Sequence, residues 1–315
     1  MQPSLPYRSI LLTGAGGFVG QYLVPALRSR MSGDATLHFI ARKGSAAVDL
    51  LDPVGVHDLI ERVRPDLIIH LAAQSSVGQS AGKAADTWRV NVGGTINLAQ
   101  AVATVSPACV FAFASSSEVY GAAFNHGTVT ENTVPLPMSP YARSKRAAEE
   151  ALSDILGEDN RLILFRPANH SGAGQDTRFV LPAFAQQIAD IEAGTIPPVI
   201  RVGSLTAERD FLDVQDVVDA YLRVLAAPVT ARRQVFNIAS GKPVPIGCLL
   251  DILLTLSSHR VAVEQDPARM RESEVPKTLI ESNAIRDRVA WAPQTTLEQT
   301  IADVLTHCRT QQHKK

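Results

Sequence analysis

The fold is decided by the stretch Ile10-Leu11-Leu12-Thr13-Gly14-Ala15-Gly16-Gly17-Phe18-Val19-Gly20. Its apolar start, and the helical spacing of the apolar residues after it, predict a strand, a tight turn and the beginning of a helix. The three spaced glycines match a dinucleotide-binding turn, in which they permit an unusual φ and let the backbone approach a pyrophosphate. The positive N-terminal end of the helix also favours phosphate. An ordinary tight turn could carry the same glycines, but the flanking strand and helix favour a cofactor site on Gly14, Gly17, Phe18, Val19 and Gly20.

Strands and helices alternate along the next part of the chain. The apolar runs Leu67–Leu71 and Val110–Ala114 are typical of strands that helices cover on both faces. Helical patterns occupy 54–64 and 86–105, and another begins at Pro140. This alternation predicts an α/β fold with a doubly wound parallel sheet.

The alternation is interrupted after Arg166-Pro167, and this change predicts how the chain is divided. Residues 1–167 would form a Rossmann-type dinucleotide-binding domain, to which the segments 206–240 and 282–310 return. Residues 168–205 and 241–281 are richer in loops and short elements. We expect them to form a smaller substrate-binding lobe.

The composition argues against several classes of protein. The 315 residues include 30 basic and 31 acidic side chains, so the chain lacks the basic excess of a nucleic-acid-binding protein. The three cysteines form no C-x-x-C pair and the histidines show no ligand spacing, which argues against a disulfide framework and a bound metal. No apolar run approaches the ~18 residues of a membrane-spanning helix, and the N-terminus has no signal-peptide pattern. We expect a cytoplasmic protein with neither a nucleic-acid nor a membrane partner.

The end of the second predicted strand, Thr36–Ala41, bears on the choice of cofactor. Arg42 follows it, at a place where an acidic residue would bind the ribose of NAD and an arginine accommodates the 2′-phosphate of NADP. A solvated basic turn is the alternative reading of Arg42. We expect NADP(H), with NAD(H) as the second choice. Further cofactor contacts are expected at Asp49 and Leu50, unless that segment is only a helix cap, and at the strand-end residues Leu71, Ala72 and Ala73.

Tyr141 and Lys145 are candidate catalytic residues. They stand four residues apart on a predicted helix, so both side chains can reach one site. A nearby ammonium lowers the pKa of a tyrosine from about 10 toward the working range of an acid–base group. A packed tyrosine with a lysine that extends to the surface would show the same spacing. The segment Ala114-Ser115-Ser116-Ser117-Glu118 favours catalysis, because it places hydroxyls after a predicted strand, although such a serine run is also common in caps.

The glycine-rich turn, the strand-end serines and the Tyr-x-x-x-Lys pair, in this order, resemble the extended short-chain dehydrogenase/reductase family of NAD-dependent epimerases and dehydratases. The resemblance covers nearly the whole chain and implies a nucleotide-sugar substrate. It implies that Ser116 is the catalytic hydroxyl, with Tyr141 and Lys145 completing the triad. Ser117 and Glu118 are adjacent candidates for substrate binding and catalysis. Members of the family commonly dimerise through the helices near 86–105 and 141–156, which implies a homodimer.

Further segments resemble those members of the family that act on GDP-linked sugars. These segments are His70–Gly78, Arg166–His170 with Gly174-Gln175, Phe179-Val180, Arg209–Phe211 and Asp266–Arg271. The resemblance implies NADPH-dependent reduction of the C4 ketone of GDP-4-dehydro-6-deoxy-D-mannose to GDP-D-rhamnose, for polysaccharide biosynthesis. The alternatives are formation of the C4 epimer GDP-6-deoxy-D-talose, a GDP-mannose 4,6-dehydratase that uses Glu118 for elimination, and cofactor sensing without turnover.

Two features of the sequence help to distinguish between these alternatives. Dehydratases of the family typically carry an extended loop after the second strand, whereas only six residues separate Arg42 from Asp49 here. Cofactor sensors of this fold usually lack the Tyr-x-x-x-Lys pair. Both features favour a reductase.

The GDP-sugar would be held by residues far apart in the sequence. Arg209 and Arg269 suit the diphosphate and ribose, because a guanidinium binds oxyanions in a fork. Asn169 offers an amide to the sugar or phosphate, and Glu274 could accept from ribose hydroxyls. Surface ion pairs are the alternative for the arginines and Glu274. The implied pocket also contains Phe179 and Val180.

Two residues of the implied substrate loop depart from the family pattern. Ala168 stands where the family usually has Phe, and Ala173 where it usually has Pro. Both lie beside the implied substrate site, so they put the shape of the pocket in question rather than the class of enzyme.

Overall fold

A computed structural model describes residues 4–40, 48–75, 80, 82–270 and 275–312. The predicted site residues Arg42 and Glu274 lie outside the described residues. The strands within them are β1 Ser9–Thr13, β2 Thr36–Ile40, β3 Leu67–His70, β4 Val110–Ala114, β5 Arg161–Pro167, β6 Asn169–Ser171, β7 Val199–Val202, β8 Glu208–Arg209, β9 Phe211–Asp213, β10 Arg233–Ile238, β11 Val244–Pro245 and β12 Ala262–Gln265.

The α-helices of the described residues connect these strands. They are α1 Phe18–Arg30, α2 Pro53–Val63, α3 Ala84–Trp88, α4 Gly94–Val105, α5 Pro140–Ile155, α6 Val180–Glu192, α7 Val214–Ala226, α8 Ile246–Leu256, α9 Asn283–Val289 and α10 Leu297–Gln312. Short 3-10 turns occupy Ser117–Tyr120, Ala122–His126 and Pro267–Arg269. None of the described helices is both long and apolar enough to cross a bilayer.

Six parallel strands form the central sheet, in the order β10-β5-β4-β3-β1-β2. The chain runs outward from β1 to β2, then returns to β3 on the other side of β1 and continues to the opposite edge. The strand order therefore reverses between β1 and β3, which is the position where open α/β sheets bind ligands beyond the carboxyl ends of their strands. This arrangement confirms the predicted fold class.

Apolar cores cover both faces of this sheet. Along β1, Ile10 and Leu12 point into one core, which also receives residues of α1 and α7. Leu11, between them, points into the other core, with residues of α2, α4 and α5. All three side chains are fully buried, and each such burial contributes about 1.5–3 kcal/mol of stability. A strand buried on both faces needs continuous apolar sequence, which explains why the apolar runs locate these strands.

A third apolar cluster lies away from the sheet. It joins α6, α8 and α10 to the inner face of β7, where Ile200 and Val202 are buried. Small strand pairs accompany it, β7 with β12, β8 with β11 and β6 with β9. Helices α6 and α8 and strand β7 of this second lobe lie in segments 168–205 and 241–281, whereas α10 lies in 282–310, a segment expected to return to the Rossmann-type domain.

The helix predicted over 86–105 is interrupted in the structure. A π-helical turn at Arg89–Gly93 separates α3 from α4. Asn91 in this turn is buried, accepts from the backbone N–H of Gln74 at 2.7 Å and donates to Ser144 Oγ at 2.9 Å. These bonds tie the end of β3 to α5 through the inserted turn. The last helix, α10, runs to Gln312, two residues past the predicted returning segment 282–310.

Candidate active site

A large cleft opens at the carboxyl ends of the sheet strands and extends to the second lobe. Its volume is about 1950 Å³, against roughly 300–1,000 Å³ for the site of one drug-sized ligand. The glycine-rich turn lies at one end, Ser116, Tyr141 and Lys145 at the middle, and Arg209 and Arg269 on the second lobe. The cleft therefore has room for a dinucleotide and a second nucleotide-sized molecule together.

The glycine-rich turn has the geometry of a phosphate cradle. Gly14 has φ of +77°, and a Cβ there would stand 2.8 Å from the backbone nitrogen of Ala72. A Cβ on Gly20 would stand 2.4 Å from the carbonyl oxygen of Gly14. Helix α1 begins without a capping side-chain hydrogen bond and without an acidic residue in its first turn. Its positive end is thus open to an anion, and these residues fit the pyrophosphate of a dinucleotide.

The other predicted cofactor residues lie along the same part of the cleft. Its lining includes Phe18, Val19, Asp49, Leu50, Leu71, Ala72 and Ala73. Asp49 is exposed and accepts from the N–H of Leu51 at 3.0 Å, while Asp52 caps α2 by accepting from Val54 at 3.1 Å. The capping that the sequence suggested for this segment thus belongs to Asp52. The Asp49 carboxylate remains at the cleft.

A buried histidine connects the strands on either side of the glycine-rich turn. His70, at the end of β3, contacts Thr13 through Nδ1 at 2.7 Å and Thr95 through Nε2 at 3.0 Å. The Thr13 hydroxyl also accepts from the N–H of Ala72 at 3.0 Å. Burial lowers the pKa of His70 to about 3, so the ring is neutral and ties β1 to β3 beside the cradle. No local sequence pattern indicates this role, because His70 stands inside an apolar run.

Ser116, Tyr141 and Lys145 come together at the centre of the cleft. Ser116 follows β4 and caps the next turn, accepting from the N–H of Glu118 at 3.2 Å. Ser139 caps α5 by accepting from Ala142 at 3.1 Å, so Tyr141 and Lys145 project from the start of this helix. The Ser116 hydroxyl is close enough to that of Tyr141 to act on its pKa. A carbonyl oxygen placed in the cleft could meet both hydroxyls.

Lys145 is held by β4. Its Nζ donates to the carbonyl oxygen of Ala114 at 2.6 Å and lies 4.6 Å from the centre of the Phe113 ring. Burial lowers the pKa of Lys145 to about 7, and the charge of Glu149 opposes this decrease. The ammonium is therefore on the border of losing its proton at neutral pH.

The expected decrease in the pKa of Tyr141 is wrong for this structure. Burial raises that pKa to about 12, the Ser116 hydrogen bond opposes the change, and the charge of Glu118 adds to it. Desolvation of the phenolate outweighs the attraction of a lysine that is itself bound to the Ala114 carbonyl. Tyr141 is consequently a neutral proton donor over the whole physiological range.

The two residues after Ser116 differ in their position. Glu118 lines the cleft, where burial raises its pKa and the charge of Arg209 opposes that change. Ser117 is buried, with 4% of its surface exposed, and lies outside the described lining of the cleft. The predicted substrate contact of Ser117 is therefore not available, because the 3-10 turn directs Glu118 rather than Ser117 to the cleft.

The cationic end of the cleft belongs to the second lobe. Arg209 donates to the carbonyl of Glu208 at 2.8 Å, and Arg269 pairs with Asp266 at 3.3 Å. Three further arginines that the sequence analysis did not single out line the cleft. They are Arg89, directly after α3, Arg178, beside Phe179, and Arg201, on β7. Asn169, Phe179 and Val180 also line it. The position of Arg178 directly before the Phe179-Val180 motif is the signal that could have identified it.

The substrate loop is attached to the cofactor turn by aromatic side chains. The rings of Phe18 and His170 are stacked, with centroids 6.3 Å apart. Tyr22, one helical turn after Phe18, donates its hydroxyl to the carbonyl of Ala173 at 2.7 Å. Gly172 allows this approach, because a Cβ there would stand 2.7 Å from Val214. The loop that lacks the usual proline at Ala173 is thus held through its backbone.

The chain is similar in sequence and structure to known enzymes that act on nucleotide sugars. Residues 10–239 match the NAD dependent epimerase/dehydratase family. The chain is 35% identical over 299 residues to the GDP-6-deoxy-D-mannose reductase of Pseudomonas aeruginosa, covering 94% of this chain and 96% of that protein. It is 25% identical over 272 residues to the GDP-6-deoxy-D-talose 4-dehydrogenase of Aggregatibacter actinomycetemcomitans, covering 86% and 87%. The structure of RMD from Pseudomonas aeruginosa complexed with NADPH superposes with a TM-score of 0.84 at 33% identity, covering 96% of this chain and 99% of that one.

Proposed function

The chain belongs to the NAD dependent epimerase/dehydratase family, and from this premise we propose that it reduces the C4 ketone of GDP-4-dehydro-6-deoxy-D-mannose with NADPH, giving GDP-D-rhamnose. The observation that carries the proposal is the arrangement of the cleft, where Ser116, Tyr141 and Lys145 lie between a phosphate cradle and a cationic lobe. The relative of 35% identity is a GDP-6-deoxy-D-mannose reductase, and the solved structure of RMD contains NADPH.

The cofactor would be held along the near part of the cleft. The turn at Gly14, Gly17 and Gly20 would receive its pyrophosphate at the open end of α1, with Phe18 and Val19 beside it. Asp49, Leu50, Leu71, Ala72 and Ala73 would line the adenosine side. We retain Arg42, outside the described residues, as the proposed contact to the 2′-phosphate. Bound NADPH supplies the hydride that reduces the ketone carbon.

Three residues of the chain would act on the ketone oxygen. Tyr141 would donate the proton, and its raised pKa keeps it protonated until that step. Ser116, whose hydroxyl neighbours that of Tyr141, would orient the oxygen between the two hydroxyls. The ammonium of Lys145, fixed on the Ala114 carbonyl, would stabilise the tyrosinate left after proton transfer and contact the nicotinamide ribose.

The GDP part would lie against the second lobe. Arg209 and Arg269 would bind the diphosphate and ribose, Asn169 would donate its amide, and Phe179 and Val180 would pack against the nucleotide. Glu274, outside the described residues, keeps its proposed role at the ribose. We keep the proposed division into a cofactor-binding domain, residues 1–167 with the returning segments 206–240 and 282–310, and a substrate-binding lobe, residues 168–205 and 241–281. Arg209 would reach the GDP from one of the returning segments.

We also propose the cellular setting. The protein would act in the cytoplasm as a homodimer through the outward faces of α4 and α5, which pack against each other in the described fold. The product would serve polysaccharide assembly. Cys109, Cys248 and Cys308 are free thiols in the structure, which suits a reducing compartment.

One incubation separates the proposed reductase from a dehydratase. With GDP-4-dehydro-6-deoxy-D-mannose, the protein should consume NADPH in a 1:1 ratio to product, followed as loss of nicotinamide absorbance. With GDP-mannose and NADP⁺ it should form no keto sugar. Formation of keto sugar from GDP-mannose, without NADPH consumption in the first incubation, would assign Glu118 to elimination and end the reductase proposal. NMR of the product distinguishes GDP-D-rhamnose from its talose epimer.

A further inference from the structure

Glu149 is a buried carboxylate for which the proposed reaction has no direct use. It stands on α5, one helical turn after Lys145, and its side chain is fully buried. A carboxylate removed from water is costly unless it is paired and hydrogen-bonded. A buried charge so close to Lys145 is therefore expected to have a role.

The two carboxylate oxygens of Glu149 accept from three side chains. Ser115 Oγ donates to Oε1 at 2.5 Å. Arg166 donates from Nε to Oε1 at 2.9 Å and from Nη2 to Oε2 at 2.5 Å, a bidentate pair. Arg146 Nη1 donates to Oε2 at 3.1 Å. Ser115 directly precedes Ser116, so this carboxylate joins the helix of Tyr141 and Lys145 to the strand end of Ser116.

The contacts continue from Arg166 to the edge of the sheet. Arg166 Nη1 donates to the hydroxyl of Tyr120 at 3.1 Å, and the guanidinium lies 5.0 Å from the centre of that ring. The Tyr120 hydroxyl donates to Asn237 Oδ1 at 2.7 Å. Arg166, Tyr120 and Asn237 are all buried. Strands β5 and β10 and the turn after β4 thus share one polar network with α5.

We propose that Glu149 is a positioning residue: its carboxylate holds the Ser116 strand end against α5 and keeps the Lys145 ammonium charged. This proposal rests on the proposed reduction for its catalytic consequence, but the positioning itself concerns only the protein. Residues four apart on a helix share a face, so the carboxylate is a near neighbour of Lys145. An opposite charge at such range favours the charged form of the lysine.

The other groups around Lys145 do not replace this charge. From β4, Lys145 meets the neutral Ala114 carbonyl and Phe113 ring. From β3 it faces His70, which burial keeps neutral, and on its own helix Tyr141 is neutral as well. Arg166 and Arg146 carry positive charge and contact Glu149. Loss of the carboxylate would therefore remove an attraction and leave the buried Arg166 guanidinium without an acidic partner.

The test follows the titration of Lys145 itself, in protein labelled with ¹³C at the lysine ε-carbons and bound to NADPH. In Glu149→Gln the midpoint of the Lys145 titration should move to lower pH by about one unit or more. This is the usual effect of losing a close opposite charge. The alkaline limb of kcat should move in the same direction, with KM for the sugar nucleotide changed much less. Glu150→Gln is the matched control, since Glu150 also pairs with Arg146 but its side chain is 51% exposed. This control should titrate as the wild type does.

Two further variants separate positioning from folding. Ser115→Ala removes only the bond to Glu149, so kcat should fall while the Lys145 titration stays in place. If Glu149→Gln does not fold because Arg166 is unpaired, the double variant Glu149→Met with Arg166→Met removes both charges together. Its Lys145 midpoint should still be lower than in the wild type.

The proposal is overturned if a folded Glu149→Gln, or the double variant in its place, shows the wild-type Lys145 midpoint. It is likewise overturned if Glu150→Gln produces an equal displacement, because the effect would then be general to the helix. A displaced midpoint in a protein that does not reduce the keto sugar would reject the proposed function and leave the positioning role intact.

Discussion

Tyr141 is the single residue on which the proposed reduction depends most. We predict that Tyr141→Phe lowers kcat by roughly 10²–10⁴-fold, the usual contribution of a general acid. NADPH affinity, measured by fluorescence titration, should be nearly unchanged, because the glycine-rich turn is not altered. Wild-type kcat in the Phe variant at saturating substrate would show that another group donates the proton.

Lys145 sets the pH dependence. Its charged form is the active one, and burial lowers its pKa to about 7, whereas the pKa of Tyr141 is raised to about 12. As pH rises, Lys145 therefore loses its proton first, and we predict that kcat/KM for reduction falls through about pH 7. In Lys145→Arg the fall of kcat/KM on the alkaline side should occur at a much higher pH, whatever the absolute rate, because a guanidinium stays charged. If kcat/KM falls at the same pH in the wild type and in Lys145→Arg, the titrating group is another residue.

For single residues, the sequence predicted which side chains of the site lie together, but not their pKa values. The spacing of Tyr141 and Lys145 follows from helix geometry alone, so their shared site was predictable. The pKa of Tyr141 depends on burial and on Glu118, which no local pattern shows. The contacts of Glu149 with Ser115 and Arg166 join residues distant in sequence and were likewise invisible.

At the scale of secondary-structure elements, the turn between β1 and α1 leaves no room for a side chain at Gly20. We predict that Gly20→Ala weakens NADPH binding strongly, because a Cβ there would stand 2.4 Å from the Gly14 carbonyl oxygen and the turn must shift. Gly33→Ala is the matched control, since no atom lies within 4 Å of a Cβ at that position. Both variants can be compared by fluorescence titration with NADPH. Equal affinities would mean that the turn does not hold the cofactor.

The elements of the sheet were predictable because strands covered on both faces must be apolar throughout, as β3 and β4 are. The π-helical turn at Arg89–Gly93 was not, since one inserted residue leaves the apolar spacing of a helix nearly intact. The attachment of the substrate loop to Tyr22 was also unpredictable, because it depends on a backbone carbonyl, that of Ala173, far along the chain.

For the molecule as a whole, the cleft joins the strand ends of the central sheet to residues of the second lobe. The predicted fold class and family are confirmed, since the sheet order and the family match follow from patterns spread over most of the chain. The cationic half is assembled from short segments between residues 178 and 269, and the sequence identified only part of its arginines. This difference explains why the reaction type is easier to infer than the shape of the substrate pocket.

The most direct test of the reductase proposal follows an isotope. The protein is incubated with GDP-4-dehydro-6-deoxy-D-mannose and NADPH that carries deuterium at both positions of nicotinamide C4, and the product is analysed by NMR and mass spectrometry. The proposal predicts one deuterium per product, located at C4 of the sugar. A product without deuterium at C4, or recovery of the keto sugar with the NADPH unconsumed, would contradict it.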